Sequence, residues 1–372
     1  MQLKVGIITF HRAHNYGAVL QCYALSEYLK SVGCEVEVID YYPKVFREEY
    51  ASFPMAHFRR ASILEKRHIL VSYFRNYPYI KERNKIFDHF LRNEIKLSSV
   101  QYDDKNHHIE GYDYIFFGSD QIWNPKLTGG FDDVFTGNFN KGKTMFVSYA
   151  ASTMMDSVDM NNKDFLQVYQ SILKRFDMVS VREKVFADYL NSLQIREVEH
   201  VIDPVLLLNA ESWNEISIRP KEECYVLTYS VPRTPVISNK AKDIADGKGM
   251  KLIEIAPNGR LYIDGEYKKI ISPKEYVGFF QYADFIVTSS FHGTAFSVIY
   301  RKPFVLLLKG NSYDVRAYGL LEELNLTERA ITLDSKQFSL DYLSKKSIDI
   351  PFSKIKEKSE KYIKRALSEL IM

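Results

Sequence analysis

A chain of 372 residues accommodates two domains of ordinary size rather than one or four, at roughly 100 to 200 residues each. With 46% hydrophobic and 26% charged residues it has globular composition, which excludes a disordered, collagenous or low-complexity protein. Fifty Lys and Arg against 47 Asp and Glu leave a net charge of +3, too even for bulk attraction to nucleic acid or membrane, so any basic function must sit in a local patch.

The elements alternate along the chain. Residues 4–10 read as an apolar strand, and Asn15 can cap a helix whose inner face carries Val19, Cys22, Leu25, Leu29 and Val32 before Gly33 ends it. Residues 35–41 give a second strand; pairing it parallel to the first requires that helical crossover, the opening of a doubly wound sheet. From about 43 to 110 the pattern turns to helical segments, in which Arg59, Arg60, Lys66, Arg67 and Arg75 lie among Ile63, Leu64, Ile69, Leu70 and Phe74. We expect a helical insertion here, either solvated and packed on its own domain or lying on an anionic membrane surface. Strands resume over 112–117, 145–150, 178–181 and 198–202, with a helix over 183–193, completing an N-terminal Rossmann-like domain over 1–208. A C-terminal Rossmann-like domain over 220–350 repeats the rhythm with strands at 225–231, 251–256, 284–288 and 303–308. A charged helix over 351–372 is expected to pack onto a domain surface.

Three cysteines, Cys22, Cys34 and Cys224, lack a CxxC pair or a His at zinc-ligand spacing, which points to reducing, cytoplasmic surroundings and to no metal site. The N-terminal run reads as a strand rather than a signal peptide. No apolar run reaches the ~18 residues of a membrane-spanning helix, so membrane contact would be peripheral. The aromatic share of 14% either fills cores or offers faces to sugar rings.

The sharpest chemical signal is the strand-to-helix junction at 287–294. Ligands of open α/β sheets bind outside the carboxyl ends of strands, where helix N-termini offer unpaired amides to anions. Gly293 and Thr294 supply such amides, Ser289, Ser290 and Thr294 supply hydroxyls, and His292 gives and takes a proton near pH 7. A second junction places Arg182 after a strand, either as a fork for a carboxylate or phosphate or as the partner of Glu183 or Asp203. Arg12, His14 and Asn15, residues 119–123 and residues 150–153 also follow strands. Asp120 there is a general base, a sugar ligand or a turn former. Neither GxGxxG nor GxxxxGK[ST] is present, which disfavours dinucleotide and P-loop binding.

Six strings in order, at residues 15–21, 118–124, 148–152, 180–183, 203–207 and 288–294, make the chain resemble the polysaccharide pyruvyl transferase family over about residues 4 to 325. The resemblance implies two Rossmann-like domains facing across a cleft (GT-B-like), phosphoenolpyruvate as donor, and a sugar hydroxyl pair, possibly lipid-linked, as acceptor. It implies no cofactor beyond that co-substrate. Its product is a pyruvate ketal on a bacterial-type surface polysaccharide, capsule or exopolysaccharide, made in the cytoplasm, possibly at the inner face of the membrane. It carries donor-handling roles onto His292 and Arg182, with Ser289, Ser290, Gly293 and Thr294 around the donor. Some characterised members have Arg where this chain has Ser290, so Arg316 becomes the candidate replacement, with Lys302 and Lys309 behind it. Asn15, Asp120, Gln121 and Trp123 are the acceptor-side candidates, combining hydrogen-bonding groups with one stacking face. The rival readings are a GT-B glycosyltransferase using a nucleotide sugar and a non-catalytic carbohydrate-binding protein, since fold does not decide function.

Overall fold

The computed structural model describes residues 2–51, 53, 58–59, 62–153, 162–256, 266–268, 270–311, 313–334, 348 and 352–368. It divides into two compact units, Met1–Leu207 with Ser359–Met372, and Leu208–Lys358.

The first unit runs β1 (Lys4–Ile8), α1 (Tyr16–Ser31), β2 (Glu35–Tyr41), α2 (Lys44–Glu49), α3 (Ile63–Glu94), β3 (Leu97–Tyr102), β4 (Tyr114–Phe117), α4 (Pro125–Thr128), β5 (Met145–Ala151), α5 (Lys163–Arg175), β6 (Met178–Val181), α6 (Lys184–Ser192) and β7 (Val198–His200). Its seven strands form one parallel sheet in the order β3-β2-β1-β4-β5-β6-β7. Growth of the sheet reverses between β1 and β4, which opens a crevice at their carboxyl ends. Strands such as β4 (YIFF) and β6 (MVSV) are buried at every residue, as a parallel sheet covered on both faces requires. Aromatic residues fill this core: the Phe117 ring lies 4.9 Å from Phe146 and 4.7 Å from Phe176.

Helix α1 is buried on nearly all sides rather than along one stripe, because it also packs against the 3-10 turn Pro204–Leu206. The expected helical insertion is only partly helical. Its C-terminal part is β3, an edge strand of sequence LSSVQY beside β2, polar because one side of it faces solvent. Helix α3 buries only Phe87, Phe90 and Leu91, so its last three turns dock while its first half does not.

The second unit runs α7 (Ala210–Asn214), β8 (Tyr225–Tyr229), α8 (Pro235–Gly247), β9 (Lys251–Ile255), β10 (Glu266–Lys268), α9 (Pro273–Tyr282), β11 (Phe285–Thr288), α10 (Phe291–Ile299), β12 (Phe304–Leu308), α11 (Tyr313–Glu323) and β13 (Ala330–Thr332). The parallel order β10-β9-β8-β11-β12-β13 repeats the design, with its reversal between β8 and β11. Helix α12 (Phe352–Ser368) then carries the chain back to the first unit. There the Ser359 hydroxyl accepts from the Ile202 amide at 3.0 Å, the Tyr362 hydroxyl donates to the Ser148 carbonyl at 2.8 Å, and the Tyr114 hydroxyl donates to the Leu367 carbonyl at 3.2 Å.

Candidate functional site

In the second unit the site grows from the β8/β11 reversal. Apolar β11 ends at Thr288, whose Oγ1 donates to the Tyr229 carbonyl at the end of β8 (2.6 Å) and accepts from the Ser290 amide (3.1 Å). Ser290 then caps α10, its Oγ accepting from the Gly293 amide at 3.5 Å. Gly293 is required there, since a Cβ would fall 2.1 Å from Thr288 Oγ1. Thr294 Oγ1 donates back to the Ser290 carbonyl at 3.0 Å. Ser290, Gly293 and Thr294, three residues expected to hold a ligand, therefore build the turn, the Ser290 and Thr294 hydroxyls and the Gly293 amide being committed to it.

Ser289 and His292 follow β11 at the same carboxyl edge. Ser289 Oγ and, at the end of neighbouring β8, Ser230 Oγ are buried without a hydrogen-bond partner. Native structures rarely leave such groups unpaired, and those that remain often mark a ligand's place. His292 is nine-tenths buried on the first turn of α10, its ring edge-on to Phe291 at 5.1 Å.

Lys309 follows β12 and reaches across the same edge, donating to the Val231 carbonyl at 2.7 Å and the Ser289 carbonyl at 3.4 Å. Burial, assisted by the positive charge of Arg316 and opposed by Asp314, pushes its ammonium down to about 8. Asp314 at the start of α11 fixes this loop, its Oδ2 accepting from the Lys309 and Gly310 amides at 2.6 and 2.7 Å. Arg316, in the first turn of α11, is a half-buried cation at this carboxyl edge whose charge acts on Lys309. Lys302 is not. It precedes β12, on the amino side of the sheet, away from the edge where His292 sits. Sequence reasoning missed Arg233, whose guanidinium holds the buried Glu254 carboxylate through Nε (2.6 Å) and Nη2 beyond the end of β8.

In the first unit the carboxyl edge carries a polar network in which Glu183 Oε2 is buried without a hydrogen-bond partner. Arg182 Nη1 donates to Asp203 Oδ2 (2.7 Å), Nε to Glu183 Oε1 (3.2 Å) and Nη2 to Ser152 Oγ (3.1 Å), with Asp120 Oδ1 3.9 Å away. Ser119 Oγ bridges Asp203 Oδ2 and the Ala150 carbonyl, and Ser152 Oγ donates to Glu183 Oε1 at 2.6 Å. Burial alone would lower the Arg182 pKa, but Glu183, Asp203 and Asp120 outweigh it and raise it. Arg182 is thus the buried partner of Glu183 and Asp203, and its guanidinium ties together the loops after β4, β5 and β6.

The acceptor-side candidates divide. Trp123 is fully buried, its indole N–H donating to the Phe135 carbonyl at 3.1 Å and its ring edge-on to Phe176 and Phe186, so it offers no stacking face. Gln121 is buried and accepts from Asn124 Nδ2 at 2.8 Å. Exposed Asn15 spends its amide oxygen capping α1. Asp120 adopts left-handed backbone (φ 69°) and accepts from the Gln121 amide at 2.9 Å, the turn-forming role. Of the residues after β1, Arg12 forks onto Asp40 at 2.7 and 2.6 Å. His14 lies between the rings of Tyr50 and Phe87, where burial and the Arg83 charge lower it to about 4.

Comparison with known proteins gives the following. The family model for polysaccharide pyruvyl transferase matches residues 15–308. No curated protein matches the chain. Among solved structures, a candidate UDP-N-acetylglucosamine 2-epimerase from Listeria monocytogenes is similar with a TM-score of 0.53 at 11% identity, covering 100% of this chain and 97% of that one. Arabidopsis thaliana UGT89C1 complexed with UDP-L-rhamnose is similar with a TM-score of 0.50 at 10% identity, covering 100% of both chains. At such identities the likeness is one of fold, the GT-B class of α/β proteins with parallel sheets.

Proposed function

Because the chain belongs to the polysaccharide pyruvyl transferase family, we propose that it moves the enolpyruvyl group of phosphoenolpyruvate onto a sugar hydroxyl pair, closing a pyruvate ketal on a surface polysaccharide or its precursor. Family membership itself supports a transferase acting in polysaccharide pyruvylation. The observation that carries the finer reading is the convergence of His292, Ser289 and Lys309 on the β8/β11 reversal of the second unit. A small donor bearing a carboxylate and a phosphate suits that edge. Lys309 and Arg316 supply two cations, one for each anionic group, and burial strengthens their attraction. In this reading Lys309, rather than Arg182, provides the donor-side charge that some relatives take from an Arg at the position of Ser290.

The chemistry then asks little else of the protein. One sugar hydroxyl adds through oxygen to the central enol carbon while the methylene carbon gains a proton. The C–O bond to phosphate breaks, phosphate leaves with that electron pair, and the second hydroxyl closes the ketal, losing its own proton. To His292 this reading assigns the proton transfers in these steps, a role worth typically a factor of 100 to 10,000 in rate. Among the acceptor-side candidates Asp120 carries the only carboxylate, its side chain 15% exposed, and we keep it as the residue to test.

Donor binding tests the reading without knowledge of the acceptor. Thermal stabilisation by phosphoenolpyruvate is expected in the wild type, absent in Lys309→Ala and weakened in His292→Ala. Stabilisation by nucleotide sugars alone would overturn it and favour a glycosyltransferase. The pH dependence is a sharper check. Only the charged ammonium attracts the donor, so affinity should fall as pH rises through about 8, and Lys309→Arg, charged throughout, should flatten that fall.

A further inference from the structure

The first half of α3 exposes large apolar side chains interspersed with cations. At about 100° per residue Ile63, Leu64, Leu70, Val71, Phe74 and Tyr77 fall within one sector of the helix, and Arg67 and Lys81 lie in the same sector. Ile63, Leu64 and Phe74 are 86%, 80% and 71% exposed, an unusual concentration of large apolar side chains in water. The same turns carry Lys66, Arg67, Arg75 and Lys81, and from residue 66 to residue 81 there is no Asp or Glu. Arg67, Arg75 and Lys81 are exposed. Tyr77 and Tyr79, also exposed, have the amphipathic character that favours a boundary between oil and water.

We infer that the Ile63–Lys81 stretch of α3 is a membrane-surface anchor, lying in the headgroup plane of an anionic bilayer with its exposed apolar side chains inserted and its cations, Arg67 and Lys81 extending along their own stems, on lipid phosphates. Nineteen residues at about 1.5 Å each span about 28 Å along such a surface. Charge selects this occupant over a second copy of the chain. Two such helices packed through that sector would bury Arg67 and Lys81 against cations of the other copy, with only Glu65 and Glu82 at the ends of the stretch to offset them. An anionic lipid surface complements both features at once. The inference rests on exposure and charge alone and is independent of the donor chemistry.

Flotation of the full chain with phosphatidylcholine vesicles, with and without roughly one-third phosphatidylglycerol, tests it. Binding is expected only to the anionic vesicles and should weaken in high salt, since each basic residue near such a surface is worth about fivefold in partition. Leu64→Ser/Phe74→Ser and Arg67→Glu/Arg75→Glu should each reduce binding at least tenfold. Both pairs lie at exposed positions, and an unchanged melting temperature certifies that the variants fold. Absence of binding by the wild type, equal binding to neutral vesicles, or wild-type affinity in both variants would overturn the anchor. So would a stable dimer in sedimentation that the Leu64→Ser/Phe74→Ser variant abolishes, which would assign that sector to a second copy.

Discussion

Arg182 shows how a residue of the right type in the right place can serve another purpose. Its charge balances Glu183, Asp203 and Asp120 in a buried setting, so Arg182→Ala should leave three carboxylates uncompensated and cost about 3 to 5 kcal/mol. A fall in melting temperature without ligand is the expected readout, and a fully stable variant with lost donor binding would restore the ligand-binding role. Lysine should not rescue it, because one ammonium cannot reproduce contacts made through Nε, Nη1 and Nη2. His14 gives a different signature. Its folded pKa, about 4, lies below the ~6.5 of an unfolded histidine, so the unfolded chain binds the proton more readily. Its contribution is fully present above about pH 6.5 and is lost as pH falls toward 4, a loss on the order of 3 kcal/mol. His14→Phe, which keeps a ring between Tyr50 and Phe87, should blunt the acid sensitivity of urea unfolding in that window. Strand-end position made His292, Ser289 and Arg182 visible in the sequence, whereas Lys309 stood only in reserve. Nothing in a linear string shows that the residue after β12 lies over the carbonyls of Val231 and Ser289.

Elements were legible where burial is continuous. β6 coincides with the expected 178–181 because an apolar run sets both its ends, and α9 starts where Ser272, Pro273 and Glu275 complete a capping box. β3 was hidden because an edge strand that shows one side to water loses the apolar signature. Trp123 was misjudged for the opposite reason, since a large aromatic in a polar loop looks exposed until its neighbours are known. Helix α3 contains Pro78, which has no amide to donate to the Phe74 carbonyl. Pro78→Ala should therefore strengthen this helix locally, by up to about 3 kcal/mol, and slow amide exchange over residues 75–82. Unchanged exchange would mean that the helix there is already limited elsewhere.

At the scale of the molecule, the two sheets share one strand order over six strands, the first adding β7, and in each the chemically interesting residues follow the strands at the reversal and those next outward, β4, β5 and β6 in the first and β8, β11 and β12 in the second. The alternation of strands and helices made that doubling readable, since a parallel sheet must be crossed by helices. What alternation does not reveal is that the second unit is an insertion, with the chain leaving the first at Leu207 and re-entering it at Ser359. Tyr362, 1% exposed, is a core residue of the first unit despite standing more than 200 positions from its partner Ser148. Tyr362→Ala should cost about 3 to 5 kcal/mol and Tyr362→Phe about 1 kcal/mol. Amide exchange should speed up in β5 while β8 and β11 keep their protection.

This return of the chain also sets an order of events during synthesis. Residues 208–358 emerge from the ribosome before residues 359–368 do, so the later-made unit has all its parts outside first. The N-terminal sheet must wait, its α12 seat beside β4 and β5 unfilled, for the whole insertion to be translated. A nascent chain arrested with residue 358 just emerged should therefore resist protease in its second half and yield in its first, reversing the usual N-to-C sequence of domain maturation.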